Sequence, residues 1–443
     1  MKWFVLAVAV VMYAFVIAFQ NKKVWFTTLA ACIIIATGAL FPGTLFPDGG
    51  ERGGGALVAV LRTALFVSVN WNVILLYIGS MLLAALFIYS RVPRYIANRI
   101  VATSPSTAVA LVLLLTMTGV ISIFVENVAK VLVMAPIALA LCRELKVPPT
   151  RFLIGLAVMS NLEGTATLVG DPPSMIFAGY AQYTFNDFFM RGGRPSIFFM
   201  IQAGLIVGEL YFYAFFARHT AAKPILQREK IISVFPAILL LVLIGGLAGI
   251  SFLHLEYAYL SGLFVFGLGC IGVLWYRFSQ KKTWAEVDTL VKNLDWETIG
   301  FLAGIFVVVG AIAETSILAD FAALLVRVTG ENVFWGFLLI LIVSVIVSGF
   351  VDNVPYIVVM LPVAGTLASA LVVHSELYLF ALLVGSCLGG NLTPFGASAN
   401  VVALGILKKE NEPVSFGGWL TIAGPFTVLT TAAAALLLWC VWR

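Results

Sequence analysis

Charge is scarce in this chain: Asp, Glu, Lys and Arg make up 11% of its 443 residues, against 62% hydrophobic. A soluble protein of that length needs far more charge to cover its surface, so a globular, water-exposed fold is excluded. Histidine numbers three and cysteine five (Cys32, Cys142, Cys270, Cys387, Cys440), without CxxC or metal-ligand spacing. The cysteines read as small core residues. His219, His254 and His374 fall in predicted loops, where metal or proton work is not expected. No HExxH, GxSxG or phosphate-loop pattern occurs, so neither an enzyme nor a cofactor is expected. The net charge of +5 comes from Lys and Arg scattered in short loops, which is not the footprint of a nucleic-acid partner.

What is abundant is apolar sequence in runs of about 18 residues or more, the mark of a multi-pass helical protein in the lipid bilayer. Strands would need short, alternating segments. Predicted spans fall near 3–19, 24–41, 72–90, 152–181, 196–217, 231–252, 257–276, 297–314, 378–406 and 417–441. The first run lacks a small-residue cleavage site before QNKK and is read as a span. Stretches around 106–141 and 332–371 are each broken near the middle by a polar point, and 56–70 and 92–103 carry Arg among apolar residues, as interfacial helices do.

The chain also repeats itself. A shift of 226 aligns 122–179 with 348–405 without a gap, with 21 of 58 positions identical. SIFVENVAKVLVMAP meets SGFVDNVPYIVVMLP, and SNLEGTATLVGDPPS meets SCLGGNLTPFGASAN. Matched Asn127/Asn353, Pro136/Pro362, Gly164/Gly390, Thr167/Thr393 and Gly170/Gly396 go beyond shared hydrophobic bias. Arg91, Arg94, Arg99 and Arg143, Lys146, Arg151 flank the first interrupted stretch, so both its ends are expected in the cytoplasm. The second stretch is flanked by Arg327 alone, so its ends are expected outside. The prediction is an all-α polytopic membrane protein of two inverted repeats, each five transmembrane helices (one broken) plus a re-entrant hairpin. Residues 1–217 form the first repeat, with its hairpin near 106–141 and broken helix at 152–181. A cytoplasmic connector covers 218–230. Residues 231–443 form the second repeat, with its hairpin near 332–371 and broken helix at 378–406.

The polar points are the candidate site. Hairpin tips would hold Glu126-Asn127 and Asp352-Asn353; the two interruptions hold Asn161, Glu163, Thr165, Thr167 and Asp171, and Asn391, Thr393, Ser398 and Asn400. Non-helical backbone at membrane depth survives only when buried in protein or lining a wet cavity, where freed carbonyls can ligate a cation. Oxygens of Asn, Thr and Asp suit Na⁺ or a proton relay. Glu126 has Lys130 four residues on as a local counter-charge. Asp352 has no cation near it in sequence and is the stronger titratable group. Glu163 stands where the second half has Gly389, as a specificity residue or a capping carboxylate, and Glu209 is expected at the interface.

These motifs resemble the ion transporter superfamily, especially its arsenite-permease, P-protein and sodium–proton antiporter branches. GTATLVGDPPS and CLGGNLTPFGASANVV look like the paired loop motifs of those permeases, and FVDNVP like their hairpin motif. The resemblance covers nearly the whole chain. It implies a secondary transporter with a scaffold and a mobile part, often dimeric and elevator-like, with Na⁺ ligands at Asn127, Thr167, Asn353 and Thr393. The sodium–dicarboxylate branch has Ser-Asn-Thr at its tips; here acids replace Ser, and Val128 and Val354 replace Thr. Extra negative charge argues against a di- or tricarboxylate unless cations screen it. The expected function is movement of a small ion, an anion or metalloid oxyanion, across the cytoplasmic membrane, coupled to Na⁺ or H⁺. A Na⁺/H⁺ antiporter is the alternative within that class; a membrane-embedded enzyme and a passive channel are rivals outside it.

Overall fold

The computed structural model describes all residues except 20–21, 42, 47–53, 126, 146–147, 218–229, 254–258, 330–331 and 372–373. The connector therefore lies almost wholly outside the described residues. The chain is an all-α multi-pass membrane protein, and among the described residues ten helices are long and apolar enough to cross a membrane. The first half runs α1 (Lys2–Ala18), α2 (Lys23–Leu40), α3 (Gly54–Arg62), α4 (Trp71–Tyr89), α5 (Val92–Thr103), α6 (Thr107–Ser122), α7 (Asn127–Leu145), α8 (Thr150–Gly164), α9 (Pro172–Ala181) and α10 (Ile197–Phe216). The second runs α11 (Phe235–Phe252), α12 (Leu260–Phe278), α13 (Trp284–Lys292), α14 (Trp296–Ala313), α15 (Ile317–Thr329), α16 (Val333–Phe350), α17 (Asn353–Ala370), α18 (Ser375–Gly389), α19 (Ser398–Lys409) and α20 (Phe416–Trp442). A two-residue strand pair, Met190–Arg191 against Arg194–Pro195, turns the chain before α10.

Local sequence sets these boundaries. Asn70 caps α4 by accepting from the Val73 amide (3.2 Å), and Asp295 caps α14 through the Thr298 amide (2.9 Å). Ser106 caps α6 and Asn332 caps α16 in the same way. Each cap satisfies amides that would otherwise be orphaned in an apolar medium. The members of each pair lie 225 or 226 residues apart, so the same stop signals open corresponding helices in both halves.

Helix contacts sort the molecule into two bodies. In one, α4 packs along α12 and α2 along α14, with α1 and α11 beside them. The contact is close because glycine allows it: a Cβ on Gly79 would sit 2.5 Å from the Val265 carbonyl carbon, and one on Gly304 would meet the Thr27 backbone at 3.0 Å. Such small-residue seams let membrane helices gain dispersion energy that lipid cannot supply. Each seam joins a helix of one half to a helix of the other, so the halves are interlocked. The second body holds α6–α10 and α16–α20, with α8 and α18 buried at its centre. Between the bodies lies a cavity of about 630 Å³, lined by residues that include Ala84, Arg94, Val133, Leu290 and Asp295.

Candidate ion and substrate site

Both predicted helix interruptions are present. α8 stops at Gly164 and α9 resumes at Pro172; α18 stops at Gly389, passes through a short 3-10 turn at Gly390–Leu392, and α19 resumes at Ser398. Proline at the first turn of α9 gives up no hydrogen bond there. Asp171 caps that turn, its Oδ1 accepting from the Ser174 amide at 3.0 Å. Each break is tied to a hairpin by equivalent bonds. Ser122 Oγ donates to the Ser160 carbonyl and Ser348 Oγ to that of Ser386, both at 2.5 Å. Thr167 Oγ1 donates to the Ile123 carbonyl at 2.6 Å, and Thr393 Oγ1 to that of Gly349. All four pairs obey the 226-residue offset. Thr167 and Thr393 thus spend their hydroxyl protons fixing the break against the hairpin, while their oxygens can still accept or coordinate.

The two breaks meet each other through amides. Asn400 Nδ2 donates to the carbonyls of Gly390 and Thr393, both at 2.9 Å, which turns its Oδ1 toward Asn161. Asn391 Nδ2 faces the Val158 carbonyl at 3.4 Å, and its backbone carbonyl accepts from Trp419 Nε1. Asn161 Nδ2 then donates to both Asn391 Oδ1 (2.8 Å) and Asn400 Oδ1 (3.0 Å). Because the outer partners are backbone carbonyls, which only accept, all three amides are locked in orientation. Asn161 is 2% exposed, and its own Oδ1 is buried with no hydrogen-bond partner among the described residues. A neutral amide oxygen in that setting suits a hard cation or a water. The residue equivalent to Asn161 is Cys387, whose thiol lies within reach of the Thr165 and Asp171 side chains. Each inner helix therefore sends one polar side chain into the other half's break.

Where the halves differ, space has been exchanged. Glu163 Oε2 accepts from Gln202 Nε2 at 2.8 Å, and a Cβ on Gly119 would come within 2.8 Å of the Glu163 Cγ. In the second half glycine stands at the other position. Gly389 replaces the glutamate, and a Cβ on it would be 2.5 Å from the Val345 carbonyl oxygen. Glu163 itself lies within α8, one residue before its end. Glu209 Oε1 accepts from the α6 hydroxyl of Thr116 at 2.7 Å.

Asp352 closes the turn between α16 and α17. Its Oδ1 caps α17 at the Val354 amide (3.1 Å), and its Oδ2 pairs with Lys23 Nζ at 3.1 Å. The sequence offers no cation beside Asp352, but the fold brings one from α2. Asn353 is half-buried at the start of α17, and Ser398 is exposed at the start of α19. Glu126 lies outside the described residues, as do the side chains of Asn127 and Lys130. Sequence reasoning missed Lys23, Gln202 and Trp419 as site neighbours. No motif or spacing in the sequence marked any of the three.

A family model described as citrate transporter matches residues 13–385 and, in a second overlapping match, 285–443. The chain belongs to the citrate transporter family. An uncharacterized transporter of Mycobacterium tuberculosis is 31% identical over 386 residues, covering 84% of this chain and 86% of its own length. The human P protein is 24% identical; 82% of this chain matches 52% of that protein. Among solved structures, the YdaH transporter of Alcanivorax borkumensis superposes with a TM-score of 0.60 at 16% identity, covering 93% of this chain and 97% of that one. MtrF of Neisseria gonorrhoeae gives 0.56 at 14%, covering 94% of each. This member of the citrate transporter family is thus a multi-pass membrane transporter, and the inner membrane is its expected location.

The amide junction yields a sharp expectation. Asn161→Leu keeps the branched shape, though not the size, and strands two buried acceptors, Asn391 Oδ1 and Asn400 Oδ1. Interhelical hydrogen bonds in membranes average only about 0.6 kcal/mol, whereas each stranded buried acceptor costs about 1–3 kcal/mol. The second effect decides. The variant should melt several degrees lower in detergent, and the double variant Asn161→Leu/Asn391→Leu should recover part of the loss. Strict additivity would show that the amides are not coupled.

Proposed function

We propose that the protein is a secondary active transporter that moves a small ion, driven by a Na⁺ or H⁺ gradient, by alternating access. The observation that carries this reading is the pair of helix breaks sealed back to back, each anchored to its own hairpin, within a body that packs alongside the α2–α14 and α4–α12 pairs. Breaks with buried polar backbone are costly in lipid and are tolerated where they line an ion or substrate path. In this reading the two inverted halves form one site; the second body travels as a unit, elevator-fashion, against the first. Asp352 is the coupling carboxylate, and Asn161, Asn353, Asn391 and Thr393 supply neutral oxygens.

The family model's description raises citrate as cargo. Asp352, Glu163 and Asp171 add carboxylates to the breaks and the α16–α17 turn, which disfavours a bare tricarboxylate unless bound cations screen it. A smaller anion or a metalloid oxyanion fits with less repulsion. The same carboxylates also favour the second reading, a Na⁺/H⁺ antiporter with no organic substrate.

The test is flux in proteoliposomes of the full chain. Vesicles loaded to impose an inward Na⁺ or pH gradient are offered citrate, arsenite and inorganic anions. Uphill accumulation of one of them, abolished by collapsing the gradient, is expected. Cation-induced dequenching of a trapped pH dye without solute uptake would select the antiporter. Downhill flux alone, insensitive to either gradient, would make the protein a channel and overturn the proposal.

A further inference from the structure

The ion pair between Lys23 and Asp352 joins the two bodies. Lys23 stands at the start of α2, on the face that packs against α14, and Nζ also reaches Thr298 Oγ1 (3.4 Å) and lies 5.7 Å above the Phe301 ring. One turn further on, Thr27 meets Gly304 at close range, so the platform carrying the ammonium is rigid. Asp352 belongs to the α16–α17 turn of the other body. Its side chain is 26% exposed and that of Lys23 13%, so the contact is sheltered and weakly screened. Tyr13 of α1 adds a second strut, donating to the Pro355 carbonyl at 3.2 Å.

We infer that Lys23 is a tethered cation that occupies the coupling carboxylate Asp352 and holds the hairpin tip against α2 and α14 until a free cation or proton displaces it. This rests on the reading of Asp352 as the coupling group. The geometry suits an exchange. Only Oδ2 is given to Lys23, while Oδ1 stays on the Val354 amide, so the turn keeps its cap when the ammonium leaves. Lysine also suits release: it is a compact point charge on a flexible stem, without the bidentate grip of arginine. When it lets go it is not stranded, because Thr298 remains in reach and Asp295 and Glu297 add negative potential at the same ammonium. The groups facing this pair are thus Tyr13 from α1, Asp295, Thr298 and Glu297 from or beside α14, and the tip itself. A cation arriving at Asp352 breaks the strut between the bodies in the same event, so binding and movement are linked without a separate gate.

The inference is tested by thermal unfolding of the purified full chain titrated with NaCl at fixed ionic strength made up with choline chloride, and in a parallel pH series. Wild type should gain stability with Na⁺, or with proton concentration, along a saturating curve. Lys23→Gln removes the competitor and should lower the half-saturating concentration about tenfold (the pH midpoint rising by about one unit). Lys23→Arg grips the carboxylate in a fork and should raise it severalfold; this variant decides the matter if the glutamine variant does not fold. Half-saturation unchanged in a folded Lys23 variant overturns the tethered-cation role while leaving Asp352 as coupling group, provided Asp352→Asn abolishes the response. A wild-type response that survives in Asp352→Asn overturns both.

Discussion

Asp352→Asn should reduce gradient-driven accumulation in proteoliposomes to the level of protein-free vesicles. The substitution is nearly isosteric, and an Asn oxygen can still cap α17 at the Val354 amide, so the turn should keep its shape. What is lost is the only charge at that tip that can exchange one cation for another. Lys23 is left beside a neutral amide, which costs stability because a sheltered ammonium loses its counter-charge. A fully buried pair broken in this way costs about 3–5 kcal/mol. Here both side chains retain some exposure, 13% and 26%, so about 1–2 kcal/mol is the discounted figure. The variant should therefore purify as folded protein and fail in coupled flux, while Asp352→Glu should keep part of it. Uphill transport by Asp352→Asn at the wild-type rate would falsify the coupling role.

Gly170→Ala should have the largest structural effect of any single methyl addition at the site. A Cβ there would lie 2.9 Å from the Gly164 carbonyl carbon and 3.0 Å from its Cα, with the carbonyl oxygen nearer still. All three are backbone atoms and cannot rotate away. The α8 end and the α9 start must separate, which pulls Thr167 from the Ile123 carbonyl and Thr165 from its place beside Cys387. Overpacking of this kind costs about 1–3 kcal/mol, occasionally more, and here it also distorts the break itself. Gly396→Ala should behave alike, its Cβ falling 2.7 Å from the Gly390 carbonyl oxygen. Gly405 in α19 has nothing within 4 Å. Alanine there should be neutral or should stabilise by about 0.5–1 kcal/mol, and it serves as control. Thermal unfolding in detergent and flux are the two readouts. Equal melting temperatures for Gly170→Ala and Gly405→Ala would show that the break yields freely.

The multi-pass helical character and the two helix interruptions were legible because each depends on local information, although α16 and α17, expected as a re-entrant hairpin, are each long and apolar enough to cross a membrane, and α1, expected as a span, is shorter. An 18-residue apolar run means a span wherever it lies, and glycine with proline in such a run means a break. The 226-residue echo was legible for a related reason: two copies of one local solution carry the same Asn, Thr and Gly. Even the bonds from Ser122 and Ser348 could have been anticipated, since the two serines align in the echo. Glu209 shows the limit. Its carboxylate accepts from Thr116 on another helix, and nothing near Glu209 in sequence announces that partner.

Asn161 and Asn391 are 230 residues apart, and Lys23 and Asp352 are 329 apart. Sequence alone determined that this chain crosses a membrane many times, that it echoes itself at an offset of 226 residues, and which polar residues stand at its breaks. Which of those residues face one another was settled only by tertiary packing. The α2–α14 and α4–α12 seams carry helices of one half into the other, and no periodicity within a helix records its partner across the fold. The counter-charge of Asp352 was therefore invisible in sequence, because α2 delivers Lys23 from the opposite end of the chain.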